Sequence, residues 1–414
     1  MNVFALSLVA AAASGVAGVA AAQSQLTLFG VVDAGVSRYT TKSTAWTPTA
    51  FPREVRQSQK VLSPSGYASS RIGFRGTEDL GGGLAASFWL EAPVANDSGA
   101  GAIANFGRRS TVSLSGTFGE VRLGRDYTPS FYNDAVFDPM TSNGVGTNLI
   151  AVINSNIAAT RALATGGLLN GGLSAGTDSY LRTSNAVSYF LPPNLGGFYG
   201  QVQYALHENV ETSNTIGSPS KRGRYAGARF GWNQGPADVA VGWGESTLAS
   251  EFSRSEKIKT VNVGALYDFG VAKVFGEWSR VTDVQDDRRA PVWLHINDRY
   301  TGWLAGVTVP VGPGLIRASY ARVRFDNGRN VIDGDAAVNK LALGYVHNLS
   351  KRTALYATVA RINISNGRNN PAVMGVTPLV LSVPAIFPQP TYVSTGGLQP
   401  RSALGYDFGI RHAF

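Results

Sequence analysis

The last stretch of the chain, Leu404 to Phe414, constrains the fold more than any other. Leu404, Tyr406, Phe408, Ile410 and Phe414 are large and apolar, and Gly405, Asp407, Gly409, Arg411 and Ala413 between them are small or charged. A repeat of two residues is a β-strand. In a soluble sheet the apolar face meets a core and the polar face meets water, so the pattern alone does not name the environment. The position says more: an aromatic terminus in mid-strand puts a large apolar side chain where soluble domains usually fray. In a membrane barrel lipid covers that face, and the small and charged face looks into a wet lumen.

A chain of 414 residues is long enough for two or three soluble domains or for one large barrel. Hydrophobic residues make up 44%. Beyond the extreme N-terminus, however, no run approaches the ~20 apolar residues of a spanning helix. Glycine is abundant at 49 residues and cysteine is absent, which suits strands that cross an oxidising compartment without stray disulfides. Lys and Arg number 36 against 27 Asp and Glu. The basic residues recur singly along alternating segments, which argues against a nucleic-acid surface and for a positively biased wall.

Val3 to Ala22 is apolar and rich in Ala and Gly, and it ends Ala20-Ala21-Ala22 before Gln23. It reads as a cleaved export signal over residues 1–22, with the mature barrel domain over 23–414. Met1-Asn2-Val3 lacks the usual basic region, so translation is expected to begin upstream. From Leu26 the alternation starts, with Leu26, Leu28 and Val32 on one face. Residues 40–66 are polar and proline-bearing and read as a long loop. In Ser70 to Gly76, Ile72 and Phe74 share one face and Arg71 and Arg75 the other; Thr77 to Gly83 reads as a polar turn.

Short turns then fall at 116–119, 192–196, 233–236, 268–270, 309–314 and 348–352. Long polar segments fall at 93–107, 127–180, 208–222, 248–256, 282–297, 326–335 and 364–400. The strands between them number roughly sixteen, an even count with short turns at one end and long loops at the other. Tilted strands of ~9–11 residues suffice to cross a bilayer, and hydrocarbon tolerates no unpaired sheet edge. The expected fold is therefore all-β, a 16-stranded antiparallel transmembrane β-barrel. Trp243, Tyr267, Trp278, Trp303, Tyr320, Tyr345 and Tyr356 are expected to form its interfacial aromatic girdles. No blade-length repeat suggests a propeller.

Enzymatic readings find little. The histidines are His207, His295, His347 and His412, far apart in strand order. No H-E-x-x-H, cysteine pair or nucleotide-cradling glycine loop is present. Neither a nucleophile with a neighbouring base nor an oxygen-rich cation cluster is apparent, so no catalytic, cofactor or metal residue is assigned. An adhesive or purely structural barrel is the alternative to a channel; a long inward loop between the fifth and sixth strands distinguishes the channel.

Four stretches carry a resemblance: Leu26-Thr-Leu-Phe-Gly-Val-Val-Asp-Ala-Gly35, Ser70-Arg-Ile-Gly-Phe-Arg-Gly-Thr-Glu-Asp-Leu-Gly-Gly-Gly-Leu84, Gly119-Glu-Val-Arg-Leu-Gly-Arg-Asp-Tyr-Thr-Pro129 and Gly405 to Phe414. The chain resembles the general porins of Gram-negative bacteria, in the branch found in Burkholderia, Bordetella and Neisseria-like organisms. The resemblance implies passive diffusion of small hydrophilic solutes and ions through the outer membrane, amid its lipid and lipopolysaccharide. It also implies a homotrimer, a third extracellular loop folded into the lumen, and a terminal Phe414 read as an assembly signal by the barrel-assembly machinery.

By the same resemblance the segment 127–180 is the constriction loop, whose acids Asp134, Asp138 and Asp178, with Asp126 at its root, oppose arginines of the barrel wall. Arg71 matches through Ser-Arg-Ile-Gly-Phe-Arg-Gly, Arg182 through Leu-Arg-Thr-Ser-Asn and Arg125 through Leu-Gly-Arg-Asp-Tyr. Arg75 joins them by its alternation with Arg71. Strict alternation from Val121 and Leu123 faces Arg125 outward, and a bulge after Gly124 or an early exit into the loop resolves this. Residues 128–179 carry three acids and Arg161. So weak a negative charge before several arginines favours counter-anions, and mild anion selectivity is expected.

Overall fold

The computed structural model describes residues 25–99, 105–164, 180–208, 221–251, 254–288, 293–326, 335–369 and 392–414. The expected export signal and Asp178 lie outside the described residues. The first half of the sheet is β1 (Gln25–Ala45), β2 (Glu54–Pro64), β3 (Arg71–Gly81), β4 (Leu84–Pro93), β5 (Arg109–Gly116), β6 (Gly119–Tyr127), β7 (Arg182–Phe190) and β8 (Phe198–Ala205). It continues with β9 (Tyr225–Gln234), β10 (Ala237–Glu251), β11 (Arg254–Asp268), β12 (Lys273–Asp287) and β13 (Leu294–Val311). It ends with β14 (Gly314–Asp326), β15 (Ala336–Asn348), β16 (Thr353–Ser365) and β17 (Leu398–Ala413).

Neighbours pair antiparallel in chain order, and β17 returns to β1 in a ladder from Val31↔Ala413 to Ala45↔Leu398. The ring is thereby closed. The other edge of β1 carries two partners end to end: β3 pairs with Gln25–Val31 and β2 with Ala34–Thr44. Sixteen strands therefore go round the barrel, and β2 continues the line of β3 above it.

The burial pattern is that of a soluble protein turned inside out. Leu28 is 54% exposed and Phe408 64%, whereas Asp407, one residue along, is 3% exposed. An apolar band on the outside of a closed ring belongs in lipid. The six expected short turns are found between paired strands, and the expected girdle residues Trp243, Tyr267, Trp278, Trp303, Tyr320 and Tyr345 are exposed. Tyr356 is not among them. It is 1% exposed and donates its hydroxyl to Asp33 Oδ1 at 2.6 Å, so its strand phase points it away from lipid.

Three of the expected loops are largely strand. Residues 54–64 pair with β1, 249–251 pair with 254–256 at the end of the β10–β11 ladder, and β12 and β13 stay paired out to Asp287↔Leu294. Likewise Thr77 to Gly81 belong to β3, leaving Gly82 and Gly83 as the turn. Polarity misled here because strands that rise above the membrane lose their apolar outer face while keeping their ladder. Their buried phase mixes apolar and charged residues: Leu248, Ile258 and Ile296 are buried, and so are Glu256 and Asp283.

Two helices, α1 (Pro129–Val136) and α2 (Leu149–Ala164), lie between β6 and β7. Thr128 caps α1 by accepting from Phe131 N at 3.2 Å, ahead of Pro129 in its first turn. Asn148 Oδ1 accepts from Ile150 N at 2.8 Å at the start of α2. Leu149, Ile150, Ile153 and Ile157 of α2 pack with Tyr300, Leu304, Val323, Phe325, Val338 and Ile364 in one buried cluster. Each such side chain contributes about 1.5–3 kcal/mol when withdrawn from water.

Candidate functional site

Strands β3 to β7 bring arginines together around few carboxylates. Glu91, at the end of β4, accepts Arg108 Nε at 2.5 Å, and Arg71 Nε lies 3.7 Å away. The Tyr127 hydroxyl accepts Arg182 Nη2 at 2.8 Å and Arg108 Nη2 at 3.3 Å, while the Arg182 guanidinium sits 4.3 Å over the Tyr127 ring. Arg71, Arg108 and Arg182 thus form one chain of contacts through Glu91 and Tyr127. Below it, Asp126 accepts Arg122 Nη1 at 2.6 Å with Arg109 Nε 3.6 Å away, and Glu120 binds Arg122 at 2.9 Å. Arg75 and Arg109 both approach the face of Trp89, at 5.3 and 4.5 Å. Arg71, Arg75, Arg108, Arg109, Arg122 and Arg182 therefore outnumber Glu91, Glu120 and Asp126.

Arg125 follows the bulge. The β6–β7 register shifts between Gly124 and Asp126, and Gly124 adopts φ +116°, a backbone open to glycine. Val121 and Leu123 stay on the exposed face, while Arg125 donates from Nε to the Gly107 carbonyl at 2.6 Å and from Nη1 to Ser184 Oγ at 2.9 Å.

The acids of the β6–β7 segment are engaged elsewhere. Asp134 is fully buried, accepts from the Tyr180 hydroxyl and from Asn262 Nδ2, and shares a hydrogen bond with Glu277 of β12. Two carboxyl groups can share a hydrogen bond only if one keeps its proton. Burial pushes the Asp134 carboxyl up to about 6 and the Tyr180 hydroxyl well above its usual range. Asp138 accepts from Met140 N (2.8 Å), Ser142 N (2.7 Å), Ser142 Oγ (3.0 Å) and Asn148 N (3.2 Å), and burial raises it too. Neither Asp134 nor Asp138 contacts Arg71, Arg75, Arg125 or Arg182. The structure does not bring these acids to the arginines, because the donors of their own segment and of β11 claim them first.

The same segment is closely fitted to glycines on the buried phase of the strands. A Cβ at Gly264 of β11 would overlap the ring of the buried Phe137, one at Gly306 of β13 would overlap Pro139, and one at Gly405 of β17 would press on Val145. The base of the segment is closed by Thr128 N donating to the Leu181 carbonyl at 3.0 Å. Its far reach meets the opposite flank: Val145 N donates to Asp407 Oδ2 at 2.6 Å, and Ser69 Oγ to Asn143 Oδ1 at 2.7 Å.

Sequence reasoning passed over Glu91, Arg108, Arg109 and Arg122. For two of them the signal was present: Arg109 alternates with Val112 and Leu114 as Arg122 does with Val121 and Leu123. Arg108 precedes its strand and has no phase to read.

Comparison with known proteins is consistent over nearly the whole chain. The sequence profile described as Gram-negative porin matches residues 6–367. Outer membrane porin protein 32 of Delftia acidovorans is 35% identical over 411 residues, 99% of each chain. An outer membrane porin of Bordetella pertussis is 27% identical over 84% of this chain and 92% of its own. Among solved structures, the anion-selective porin from Comamonas acidovorans superposes with a TM-score of 0.69 at 32% identity, covering 95% of this chain and all of that one.

Proposed function

The chain belongs to the Gram-negative porin family, and from that premise we propose that its β6–β7 segment folds into the lumen as a constriction loop facing an arginine wall that favours anions. The protein is an outer-membrane β-barrel porin through which small hydrophilic solutes and ions diffuse passively, and it is not an enzyme. The inward course of the loop is supported by its contacts with β11, β13 and β17, flanks of the ring that a loop lying outside could not touch together. Anion preference rests on one observation above all: the arginines gathered about Glu91, Tyr127 and Asp126 exceed their carboxylates, while Asp134 and Asp138 are consumed in docking the loop. The relative from Comamonas acidovorans, described as anion-selective, points the same way. Fixed positive charge in a narrow pore enriches counter-anions.

The test is the reversal potential of the refolded mature protein in a planar bilayer under a salt gradient. Wild type is expected to show anion preference. Arg71→Ala lowers the anion-to-cation permeability ratio by roughly twofold, and Glu91→Gln, which frees Arg71 and Arg108 of their shared carboxylate, raises it by a similar factor. Cation preference in wild type overturns the selectivity reading. A silent bilayer from folded protein returns the question to a structural or adhesive barrel.

The homotrimer belongs to the same proposal, and conductance arriving in steps of three is its signature. So does Phe414 as assembly signal: its backbone pairs with Gly30 in both directions, at 3.2 and 3.1 Å, and its ring lies over Gly30 on the exposed face. Cleavage after the export signal leaves a mature chain starting near Gln23, which N-terminal sequencing checks.

A further inference from the structure

A second guanidinium stands apart from the arginine wall. A cavity of about 550 Å³ lies between Tyr67, the loop residues Asp138 to Thr141 and the short-turn ends of β12 to β14. Four charged side chains line it. Asp268 and Lys273 pair with each other at 3.0 Å. Asp138 is filled by its four donors. The fourth is Arg317, 2% exposed, with no carboxylate at ion-pair distance among the described residues and with Asp138 as its electrostatic neighbour across the cavity.

The contacts of Arg317 do not neutralise it. Its guanidinium lies 4.6 Å from the Tyr67 ring, its Nη1 is a long 3.4 Å from Thr141 Oγ1, and its Nε finds no acceptor. Burial penalises a charge without an ion-pair partner, and a cation–π contact offsets only part of that penalty. A guanidinium so short of acceptors, beside an open-sided cavity, can take a further oxygen partner. We infer that this cavity binds a small oxyanion, a carboxylate or inorganic phosphate, entering from the short-turn side and received by Arg317. The fork of a guanidinium matches the paired oxygens of both groups. None of Arg71, Arg108 or Arg182 lines this space, so the site is separate from the wall. Because Arg317 also touches Thr141 of the loop, occupancy is expected to register in the current.

This inference goes beyond the channel reading and relies on it only for the assay. Single channels of known orientation are exposed to sodium phosphate or sodium acetate at constant ionic strength, first from the short-turn side and then from the other. Wild type is expected to show a saturable change in open-channel conductance or noise from the short-turn side. Arg317→Met, which keeps the bulk of the stem, raises the half-saturating concentration at least tenfold while the reversal potential holds. Ala272→Trp at the cavity lining obstructs entry with Arg317 in place, and it carries the test if Arg317→Met fails to fold. A response to both anions defines a general oxyanion site, and a response to phosphate alone narrows it to that ion. A response unaltered in both variants, or equal from both sides and removed by Arg71→Ala, overturns the site. Absence of anion preference in the reversal potential counts against the arginine wall alone.

Discussion

Gly264→Val is expected to drive the β6–β7 loop off β11 and leave the barrel standing. Phe137 is fully buried with its ring against Gly264, and any Cβ there occupies the space of that ring. Displacing a buried Phe forfeits up to about 3 kcal/mol of burial, and forcing extra carbon into a packed site costs a further 1–3 kcal/mol. A weakening of about 3 kcal/mol multiplies the undocked population roughly a hundredfold. Single-channel conductance should rise, and larger sugars should enter liposomes carrying the variant. The β11 ladders to β10 and β12 each run through Gly264 as backbone pairings that a side chain does not break. Heat-modifiable mobility on gels should therefore stay that of a folded barrel. Wild-type conductance and exclusion in Gly264→Val would show that Phe137 repacks in place.

Loop docking should also weaken as pH rises through about 6. The docked Asp134 carboxyl titrates near that value, above the 3.8 of the free group, so the docked state holds the proton more tightly than the undocked one. The stabilisation is fully present below 3.8 and fades toward about 6, by up to about 1.4 kcal/mol per pH unit. Its cause is burial, opposed by the hydrogen bonds to Glu277, Tyr180 and Asn262. Open-channel noise from loop motion should thus be low at pH 4 and higher at pH 7. Asp134→Asn has no proton to lose there, and its amide can donate to Glu277. Its noise should vary far less between the two pH values, and a variant that retained the full wild-type dependence would exclude this pair as the source.

The barrel was legible because its signal is local. Period-two alternation in Leu404 to Phe414, the alternating phases of Arg71 and Ile72, and glycine-bearing turns such as 233–236 depend on neighbours in sequence. The bulge at Gly124 followed from the conflict between the alternation of Val121 and Leu123 and the match at Arg125. What failed to show was non-local. Nothing in the run from Leu149 to Ile157 announces that Val323, Val338 and Ile364 will cover it. The resemblance set Asp134 and Asp138 opposite the wall arginines, while the groups that hold Asp134, Asn262 and Glu277, lie more than a hundred residues away. The strands above the membrane were lost because water removes the apolar phase that marked the rest.

The bare backbone at Gly264, Gly306 and Gly405 acts as a mould for a loop that is cast elsewhere in the chain. Its shape is therefore not portable with its sequence. Grafting residues 128–181 onto a barrel with Ala or Val at the equivalent wall positions would transplant the text without the form. Under the proposed inward course of the loop, a designer seeking a wider or narrower aperture would do better to recarve the wall than to rewrite the loop.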